Sequence, residues 1–448
     1  MNIAFEISPL ITASGTFGDK SGVYRYTYGL LTALIENKKK ENSQNKIYLF
    51  TFAHSLLFYS INPEILKLVD NKRVFLIGYE KNLIIPRKSE SKWSEWIEIL
   101  AIPIIRYPLK TLDHIFSLRK IYKKYVEKEN FIKYAKQLKH KFKKNKVSIV
   151  YHSETAFYPM DPIKNVITIY DLTTVFLPNF HRSETCDLQS RKLRFAKKHC
   201  QGIIAISEST KNDLMAFSHQ FKKKKILVGY PGLDKSFIKN KDDDHHSLTD
   251  INSLLAKKDR NIEEKQYFLF YSTFEPRKNI LYIVRAFADL YEEKKIPLNF
   301  KMVLIGGRGW GKIKMLVDNF IQENFPLDKK NPFILLDYIS DAYIKVFIKN
   351  AYTVVYPSIY EGFGLPALEA QALGTPVICS NTSSLPEVAG NAALYVNPKD
   401  YQDLKEKMKY IIDHPKLADH LSKAGFIQSK KFTWDKTSNN VLNFLETL

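Results

Sequence analysis

Short apolar runs alternate along the chain with longer segments in which apolar residues recur every three to four positions. Apolar runs at residues 2–8, 147–151 and 267–271 are typical of buried strands, and the periodic segments between such runs are typical of amphipathic helices. Strands that alternate with helices indicate α/β domains built on parallel sheets. Because 448 residues exceed the usual size of one domain, we predict two Rossmann-like parallel-sheet domains.

The domain limits follow from a change in composition near the middle of the chain. Residues 239–264 are mostly polar, so we predict a linker there. The first domain would then span residues 1–238 and the second residues 265–430. Residues 431–448 would form a helix that crosses back to the first domain. A basic insertion at about 81–146 departs from the α/β alternation of the first domain.

The most informative stretch combines a strand, a glycine loop and a helix start. An apolar run at residues 351–356 predicts a strand, and the loop after it carries Gly362 and Gly364. The start of the next helix has unpaired backbone N–H groups and a partial positive charge, which suit a phosphate. Glu361 and Glu369 flank this helix start and would repel a phosphate. We therefore expect both carboxylates to accept hydrogen bonds from hydroxyl groups, and a ligand with phosphates and hydroxyls is a nucleotide-sugar.

A second polar segment follows the strand that opens the second domain. Arg277 and Lys278 stand where this strand meets the next helix, within Glu-Pro-Arg-Lys-Asn. Cations at such a position are well placed to hold a diphosphate. The alternative is an exposed Arg-Lys pair without a ligand.

The stretch 356–376 resembles the donor-site signature of the family-4 glycosyltransferases (glycosyl transferases group 1). Members of this family are retaining enzymes of the GT-B fold, so the resemblance implies two domains that face each other across a cleft. It implies that Glu361 acts at the donor sugar, that Glu369 binds the ribose and that Lys278 binds the donor diphosphate. The resemblance is strong over residues 267–398, moderate over 147–234 and absent from the basic insertion.

Further donor contacts come from the same resemblance. A glycine before the first long helix would let the backbone approach the donor phosphate, although a surface loop is the alternative there. A second-domain glycine loop would lie near the nucleotide, and a backbone segment after a later strand would meet the base. The donor-binding residues that we predict are Gly22, Arg277, Lys278, Gly306, Tyr338, Ile339, Glu361, Gly362, Phe363, Gly364, Leu365 and Glu369.

The catalytic residues that we predict are Glu361, Lys278, Asp171 and Tyr170. The apolar run 166–172 predicts a strand whose tip carries the last two. Many family members have histidine at this tip, close to the transferred sugar, where this chain has Tyr170. Tyrosine keeps a hydroxyl donor but is a poor base at neutral pH. His181 is a candidate replacement, although a lone loop histidine is more often structural.

The resemblance implies retaining transfer of a sugar from a nucleotide-diphosphate sugar to a glycan or lipid-linked acceptor. Similarity to bacterial mannosyltransferases of surface polysaccharide synthesis favours mannose. We expect no metal and no other cofactor, because the cations and helix starts neutralise the diphosphate. The substitution at Tyr170 leaves a second hypothesis open: a catalytically inactive protein that binds sugar-nucleotides or glycans.

Charge adds a prediction about partners. The formal net charge is +21, and residues 80–146 alone contribute +11, from 18 Lys and Arg against 7 Asp and Glu. With Trp93, Trp96 and Tyr107, this segment predicts contact with an anionic membrane surface. A helical insertion with solvated lysines is the alternative. We expect no nucleic-acid partner, because no base-reading module is recognisable.

The cellular setting follows from three further features. No apolar run of 18 residues predicts a transmembrane helix, and the N-terminus lacks a basic signal-peptide region. The three cysteines fit a reducing compartment. We therefore predict a cytoplasmic protein, peripheral at the inner face of the plasma membrane.

Overall fold

A computed structural model gives the structure of most of the chain. It describes residues 1–12, 22–40, 45–52, 63–78, 131–153, 157–234, 237, 247–256, 261–307, 309, 311–326 and 330–448. Two parallel sheets, of seven and six strands, lie in this part of the chain, and helices connect their strands. The prediction of two parallel-sheet α/β domains is confirmed.

The first sheet has the strand order β3-β2-β1-β4-β5-β6-β7. Its strands are β1 Asn2–Glu6, β2 Ile47–Phe50, β3 Val74–Leu76, β4 Val147–His152, β5 Lys164–Ile169, β6 Cys200–Ala205 and β7 Lys225–Val228. The helices of this part are Ser8–Thr12, Gly22–Lys40, Pro63–Leu66, 131–144, Thr173–Phe176, Ser183–His199, Glu208–Phe217 and His219–Lys222, with a 3-10 turn at Pro178–Phe180.

The second sheet has the order β10-β9-β8-β11-β12-β13. Its strands are β8 Tyr267–Tyr271, β9 Lys301–Ile305, β10 Phe333–Leu336, β11 Thr353–Tyr356, β12 Val377–Ser380 and β13 Leu394–Val396. The helices are Leu248–Ala256, Ile280–Glu292, Ile313–Asn324, Asp341–Asn350, Leu365–Ala372, Leu385–Ala389, Tyr401–Asp413, Pro415–Ser429 and Trp434–Glu446, with a 3-10 turn at Pro276–Lys278.

The sequence accounts for these elements through burial. Every residue of β8, β11 and β12 is buried, as expected for central strands of a sheet that helices cover on both faces. The helix Ile280–Glu292 has one buried face, which is formed by Ile280, Ile283, Val284, Ala286, Phe287, Ala288, Leu290 and Tyr291. Burial of apolar side chains therefore determines which face of each helix or strand packs against the core.

The order of the second sheet reverses between β8 and β11, which are neighbours although two strands separate them in the chain. In β11, Thr353 pairs with Phe268 and Val354 pairs with Leu269 of β8. In open α/β sheets, ligands bind outside the carboxyl ends of the strands at such a reversal. The segments that follow Tyr271 and Tyr356 are therefore where a site is expected.

The described chain divides into two compact units. One comprises Met1–Thr168, Arg194–Ile203 and Leu442–Leu448, and the other comprises Ile169–Leu193 and Ile204–Val441. The domain limits proposed from the sequence stay a prediction.

The basic insertion is only partly covered. Residues 79–130, which include Trp93, Trp96 and Tyr107, lie outside the described residues. Residues 131–144 form a helix, and its Phe142 packs edge-on against Phe50 of β2 with ring centroids 4.9 Å apart. This end of the segment therefore packs on the first sheet, as the helical-insertion alternative expects. The membrane contact and the cellular location stay predictions.

None of the helices in the described ranges is both long and apolar enough to span a bilayer.

Two adjacent glycines after β9 give a test of the fold. A Cβ on Gly306 would lie 1.8 Å from the carbonyl oxygen of Ser272, whereas a Cβ on Gly307 would have nothing within 4 Å. Gly306→Ala must push the loops after β8 and β9 apart, and we expect a cost of about 1–3 kcal/mol. Urea unfolding of Gly306→Ala and of the control Gly307→Ala checks this. Equal stability of the two variants would contradict the packing described here.

Candidate active site

The turn after β8 places two cations at the sheet reversal. Pro276–Lys278 forms one 3-10 turn, and Asn279 follows with a left-handed φ of 62°, which asparagine tolerates better than most residues. The side-chain amide of Asn279 donates to the carbonyl oxygen of Pro398 at 2.7 Å. Arg277 and Lys278 are therefore held on a fixed turn.

Both cations converge on one carboxylate. Lys278 Nζ lies 2.7 Å from Glu361 Oε1, and Arg277 Nη1 lies 2.9 Å from Glu361 Oε2. Glu275 forms a further ion pair with Arg277, with Nε and Oε2 2.9 Å apart. Lys278 also donates to the hydroxyl of Tyr356 at the end of β11. The site is therefore built around a buried cluster of two cations and two carboxylates.

The charges of this cluster depend on one another. Burial by itself raises the pKa of Glu361, but Arg277 and Lys278 outweigh burial and lower that pKa to about 2. Burial and the neighbouring Arg277 lower the pKa of Lys278, and Glu361 opposes both. Burial also disfavours the charged guanidinium, yet the two carboxylates raise the pKa of Arg277. Glu361 and Arg277 are therefore charged at neutral pH.

The cations keep hydrogen-bonding capacity beyond these pairs. Lysine has three N–H donors and arginine has five. Among the described residues, the partners of Lys278 Nζ are Glu361 and Tyr356, and the second terminal nitrogen of Arg277 has no partner. Such groups can form charge-assisted hydrogen bonds with a phosphate or a carboxylate.

The loop after β11 is fixed by serine hydroxyls. Ser383 Oγ accepts from the backbone N–H of Glu361 at 2.9 Å. Ser384 Oγ donates to the carbonyl oxygens of Glu361 and Phe363 at 2.9 and 2.8 Å. The backbone around Glu361 is therefore set before any ligand binds.

The helix Leu365–Ala372 begins at this loop. Its N-cap is Gly364, which has a φ of 104° and makes no side-chain cap, so the first turn presents unpaired backbone N–H groups. A Cβ on Gly364 would lie 2.6 Å from Leu385 Cδ2, so both the backbone angle and the packing require glycine. The prediction of a glycine loop before a helix start is confirmed, and the helix begins at Leu365, one residue before the expected Pro366.

The other predicted donor contacts of the second domain lie at three places. Glu369 is buried on the helix Leu365–Ala372, and its Oε2 accepts from the hydroxyl of Tyr271 at 3.0 Å. Tyr338 is 71% exposed and, with Ile339, lies between β10 and the next helix. Gly306 lies against the loop after β8, as described above. The nucleotide roles of these residues stay predictions.

Gly22 begins the helix Gly22–Lys40 in the unit that contains β1, and its surroundings leave room for a side chain. The glycine-rich loop before it, residues 13–21, lies outside the described residues. Its predicted contact with the donor phosphate stays a prediction.

Tyr170 and Asp171 lie next to residues 357–364, the loop after β11 that is the predicted donor loop. The strand predicted over residues 166–172 ends at Ile169, because Asp171 instead accepts hydrogen bonds from the N–H and hydroxyl of Thr173, the first residue of a short helix. A Cβ on Gly362 would lie 2.4 Å from the carbonyl oxygen of Tyr170 and 3.1 Å from Asp171 Cβ. The Tyr170 ring lies beneath the ammonium of Lys192, 4.9 Å from it. The sequence therefore predicted correctly that a strand leads to Tyr170 and Asp171, but it placed both residues on that strand rather than after it.

His181 belongs to the same neighbourhood. Burial lowers the pKa of His181, and the charges of Asp171, Arg277 and Glu275 also act on it. The imidazole is therefore neutral at pH 7, near the cluster. Many family members have a histidine where this chain has Tyr170. That His181 replaces this histidine stays a prediction.

Sequence reasoning missed four contributors to the site. Glu275 and Tyr356 complete the cation cluster, and the hydroxyl of Tyr360 donates to Asp213. A tyrosine as the last residue of a buried strand at the sheet reversal was a usable signal for Tyr356. Asp213 gave no signal, because it lies on a helix far from the donor motif in sequence.

Within the described ranges, no group of three or more His, Cys, Asp and Glu side chains has the arrangement of a metal site.

The buried pairs predict how stability depends on pH. The pKa of Glu361 is lower in the folded chain than its ordinary value of 4.5, so its stabilising contribution is complete above that value and is lost as pH falls towards about 2. The shift corresponds to roughly 3 kcal/mol. We expect Glu361→Gln to be less stable than the wild type at neutral pH, and to lose less stability between about pH 5 and about pH 3.

Urea unfolding at several pH values measures this difference. Glu323→Gln, on the exposed side of the helix Ile313–Asn324, is the control, and its pH dependence should match the wild type. A Glu361→Gln curve parallel to the wild-type curve would contradict the ion pairing.

Part of the chain matches a known protein family. Residues 253–428 match the family described as Glycosyl transferases group 1. The chain is 26% identical over 304 residues to O-antigen chain mannosyltransferase B of Escherichia coli. This alignment covers 67% of this chain and 74% of that protein. It is 29% identical over 257 residues to O-antigen chain mannosyltransferase RfbU of Salmonella typhimurium, covering 56% of this chain and 61% of the relative.

Solved structures give the fold. HepE of Anabaena, determined in complex with UDP-glucose, superposes with a TM-score of 0.61 at 15% identity, and each chain is covered completely. Sucrose-phosphate synthase of Thermosynechococcus elongatus also has a TM-score of 0.61, at 17% identity, with 100% of this chain and 98% of that chain covered. Residues 253–428 therefore form a glycosyl transferases group 1 domain, and together with the similarity to mannosyltransferases this domain supports a glycosyltransferase of the GT-B fold.

Proposed function

We propose that this glycosyltransferase moves mannose from a nucleoside-diphosphate sugar to a hydroxyl group of a glycan or lipid-linked acceptor, in surface polysaccharide synthesis, with retention of configuration. The observation that carries the proposal is the convergence of Arg277 and Lys278 on Glu361 at the reversal of the second sheet. This arrangement combines cations for a diphosphate with a carboxylate for sugar hydroxyls.

The diphosphate is held by the remaining N–H groups of Arg277 and Lys278. As the bond from the sugar to the diphosphate breaks, negative charge develops on the leaving oxygen. Fixed cations in a buried site stabilise such charge without having to reorganise. The N-terminus of the helix Leu365–Ala372 adds partial positive charge. We therefore assign leaving-group stabilisation to these groups.

The carboxylates bind the neutral parts of the donor. Glu361 accepts hydrogen bonds from hydroxyls of the transferred sugar, and the backbone N–H groups of Phe363 and Gly364 orient that sugar. Glu369, held by Tyr271, accepts from the ribose. Because like charges repel, the carboxylates of Glu361 and Glu369 keep phosphate groups away from the positions of the sugar and the ribose.

The reaction exchanges one bond at the anomeric carbon for another. The bond to the diphosphate oxygen breaks, and a bond to the acceptor oxygen forms. The acceptor attacks from the face of the leaving group, and its proton goes to the departing diphosphate. This step needs no protein base, which suits Tyr170 at the place where many relatives have histidine.

The choice of mannose and of a polysaccharide acceptor rests on the relatives, two of which are described as O-antigen chain mannosyltransferases. The choice of a nucleoside-diphosphate donor rests on the cation cluster, and the HepE structure with UDP-glucose is a precedent for such a ligand in this fold.

A catalytically inactive sugar-nucleotide or glycan-binding protein is the second candidate, and the tyrosine at position 170 favours it. A panel of UDP- and GDP-linked hexoses with lipid-linked and free mannoside acceptors separates the two. Release of nucleoside diphosphate together with an elongated acceptor supports transfer. Binding without release in every combination would favour the inactive protein. The anomeric configuration of the product, compared with the donor by NMR, decides between retention and inversion.

Removal of one cation tests the diphosphate site. Lys278→Met should lower kcat for transfer by about 100-fold or more, because it removes a fixed donor to the leaving group. Lys405→Met is the control, since Lys405 is also ion-paired but contacts Asp289 and Glu293 on another face of the domain. Near-normal turnover by a folded Lys278→Met protein would refute the assignment of Lys278.

The proposed mechanism assigns charge neutralisation to Arg277, Lys278 and a helix N-terminus, without a metal ion. We therefore expect transfer to continue at an unchanged rate after dialysis against EDTA. Assays with and without added Mg²⁺ or Mn²⁺ complete the measurement. Loss of turnover in EDTA that either cation restores would contradict this part of the mechanism.

A further inference from the structure

The ring of Phe176 is 45% exposed, which is unusual for a large aromatic side chain. Phe176 is the last residue of the helix Thr173–Phe176. Two residues before this helix, Asp171 Oδ1 accepts from the N–H and the hydroxyl of Thr173 at 3.0 and 2.6 Å. A large ring on a short, anchored helix is therefore presented to solvent in a fixed place.

The neighbour of this ring belongs to the donor loop. The rings of Phe176 and Tyr360 lie with their centroids 6.4 Å apart and tilted by 38°. Tyr360 directly precedes Glu361, and its carbonyl oxygen accepts from Arg277 Nη1 at 3.0 Å. Its hydroxyl donates to Asp213. Tyr360 therefore connects the cation cluster at one end with the aromatic and acidic side chains at the other.

The charge around the two rings is negative. Burial raises the pKa of Asp213, the hydrogen bond from Tyr360 opposes this, and the charge of Asp171 raises it further. Burial and Asp213 also raise the pKa of Tyr360, so its hydroxyl remains protonated. Carboxylates repel a phosphate and accept hydrogen bonds from hydroxyls. This surface therefore disfavours the diphosphate and favours a neutral, hydroxylated ligand.

We propose that Phe176, Tyr360 and Asp213 form a subsite for a neutral sugar ring of the acceptor. The exposed Phe176 face covers the apolar C–H face of a pyranose, and Asp213 accepts from its hydroxyls. The contact of Gly362 with the backbone of Tyr170 sets this surface beside the donor loop. The inference rests on the proposed function, because it takes the acceptor to be a glycan.

The test measures acceptor and donor separately. With octyl α-D-mannopyranoside as acceptor, Phe176→Ala should raise the acceptor KM about tenfold and leave the donor KM unchanged. Phe176→Tyr, which keeps an aromatic face, should restore most of the loss. Phe426→Ala is the matched control, because Phe426 is 46% exposed on the helix Pro415–Ser429. It should behave as the wild type.

Saturation-transfer NMR with methyl α-mannoside, α-glucoside and α-galactoside measures sugar binding without turnover. We expect transfer from the wild type to the ring protons of at least one glycoside, and its loss in Phe176→Ala. Unchanged saturation transfer in a folded Phe176→Ala, no transfer from the wild type to any of the three, or an equal rise of donor and acceptor KM would overturn the subsite. An absence of sugar transfer in every assay would refute the proposed function, and the NMR comparison would still decide the subsite.

Discussion

The pairing of Arg277 and Lys278 with Glu361 in the protein interior constrains the rest of the site. Removal of an ion from water costs several kcal/mol, so a buried cation is stable only when an anion and further acceptors are fixed beside it. The 3-10 turn after β8, the left-handed Asn279 and the serine bonds behind Glu361 supply that fixed geometry. Small errors in either loop would leave a charge buried without its partner.

The same cluster is built to receive the anionic donor that is proposed here. Glu275 and Glu361 pair with Arg277 and Lys278, so fixed carboxylates offset the positive charge of the site. In the proposed function, the N–H groups of Arg277 and Lys278 that lack partners in the described part of the chain bind the diphosphate. In the proposed mechanism, charge that develops on the leaving group is stabilised by groups that are already in place.

Much of the fold could be predicted from sequence, because buried strands and amphipathic helices have periods that polar loops lack. The glycine loop, the helix start and the cations after β8 were predicted for the same reason: each lies directly after a strand. The strand end at Ile169 was misplaced, since the turn from Asp171 to Thr173 depends on side-chain bonds that apolar periodicity does not report. The pairing of Tyr360 with Asp213 joins residues 147 positions apart, and no local pattern indicates it.

The backbone and the side chain of Tyr360 lie in two different electrostatic environments, one with cations and one with carboxylates. Its carbonyl oxygen faces Arg277, and its hydroxyl faces Asp213. On the first side, cations favour a diphosphate. On the second, carboxylates and the exposed ring of Phe176 favour hydroxyls and an apolar sugar face. Because carboxylates on the second side would repel a diphosphate, the proposed order of donor and acceptor follows from charge before any shape is considered.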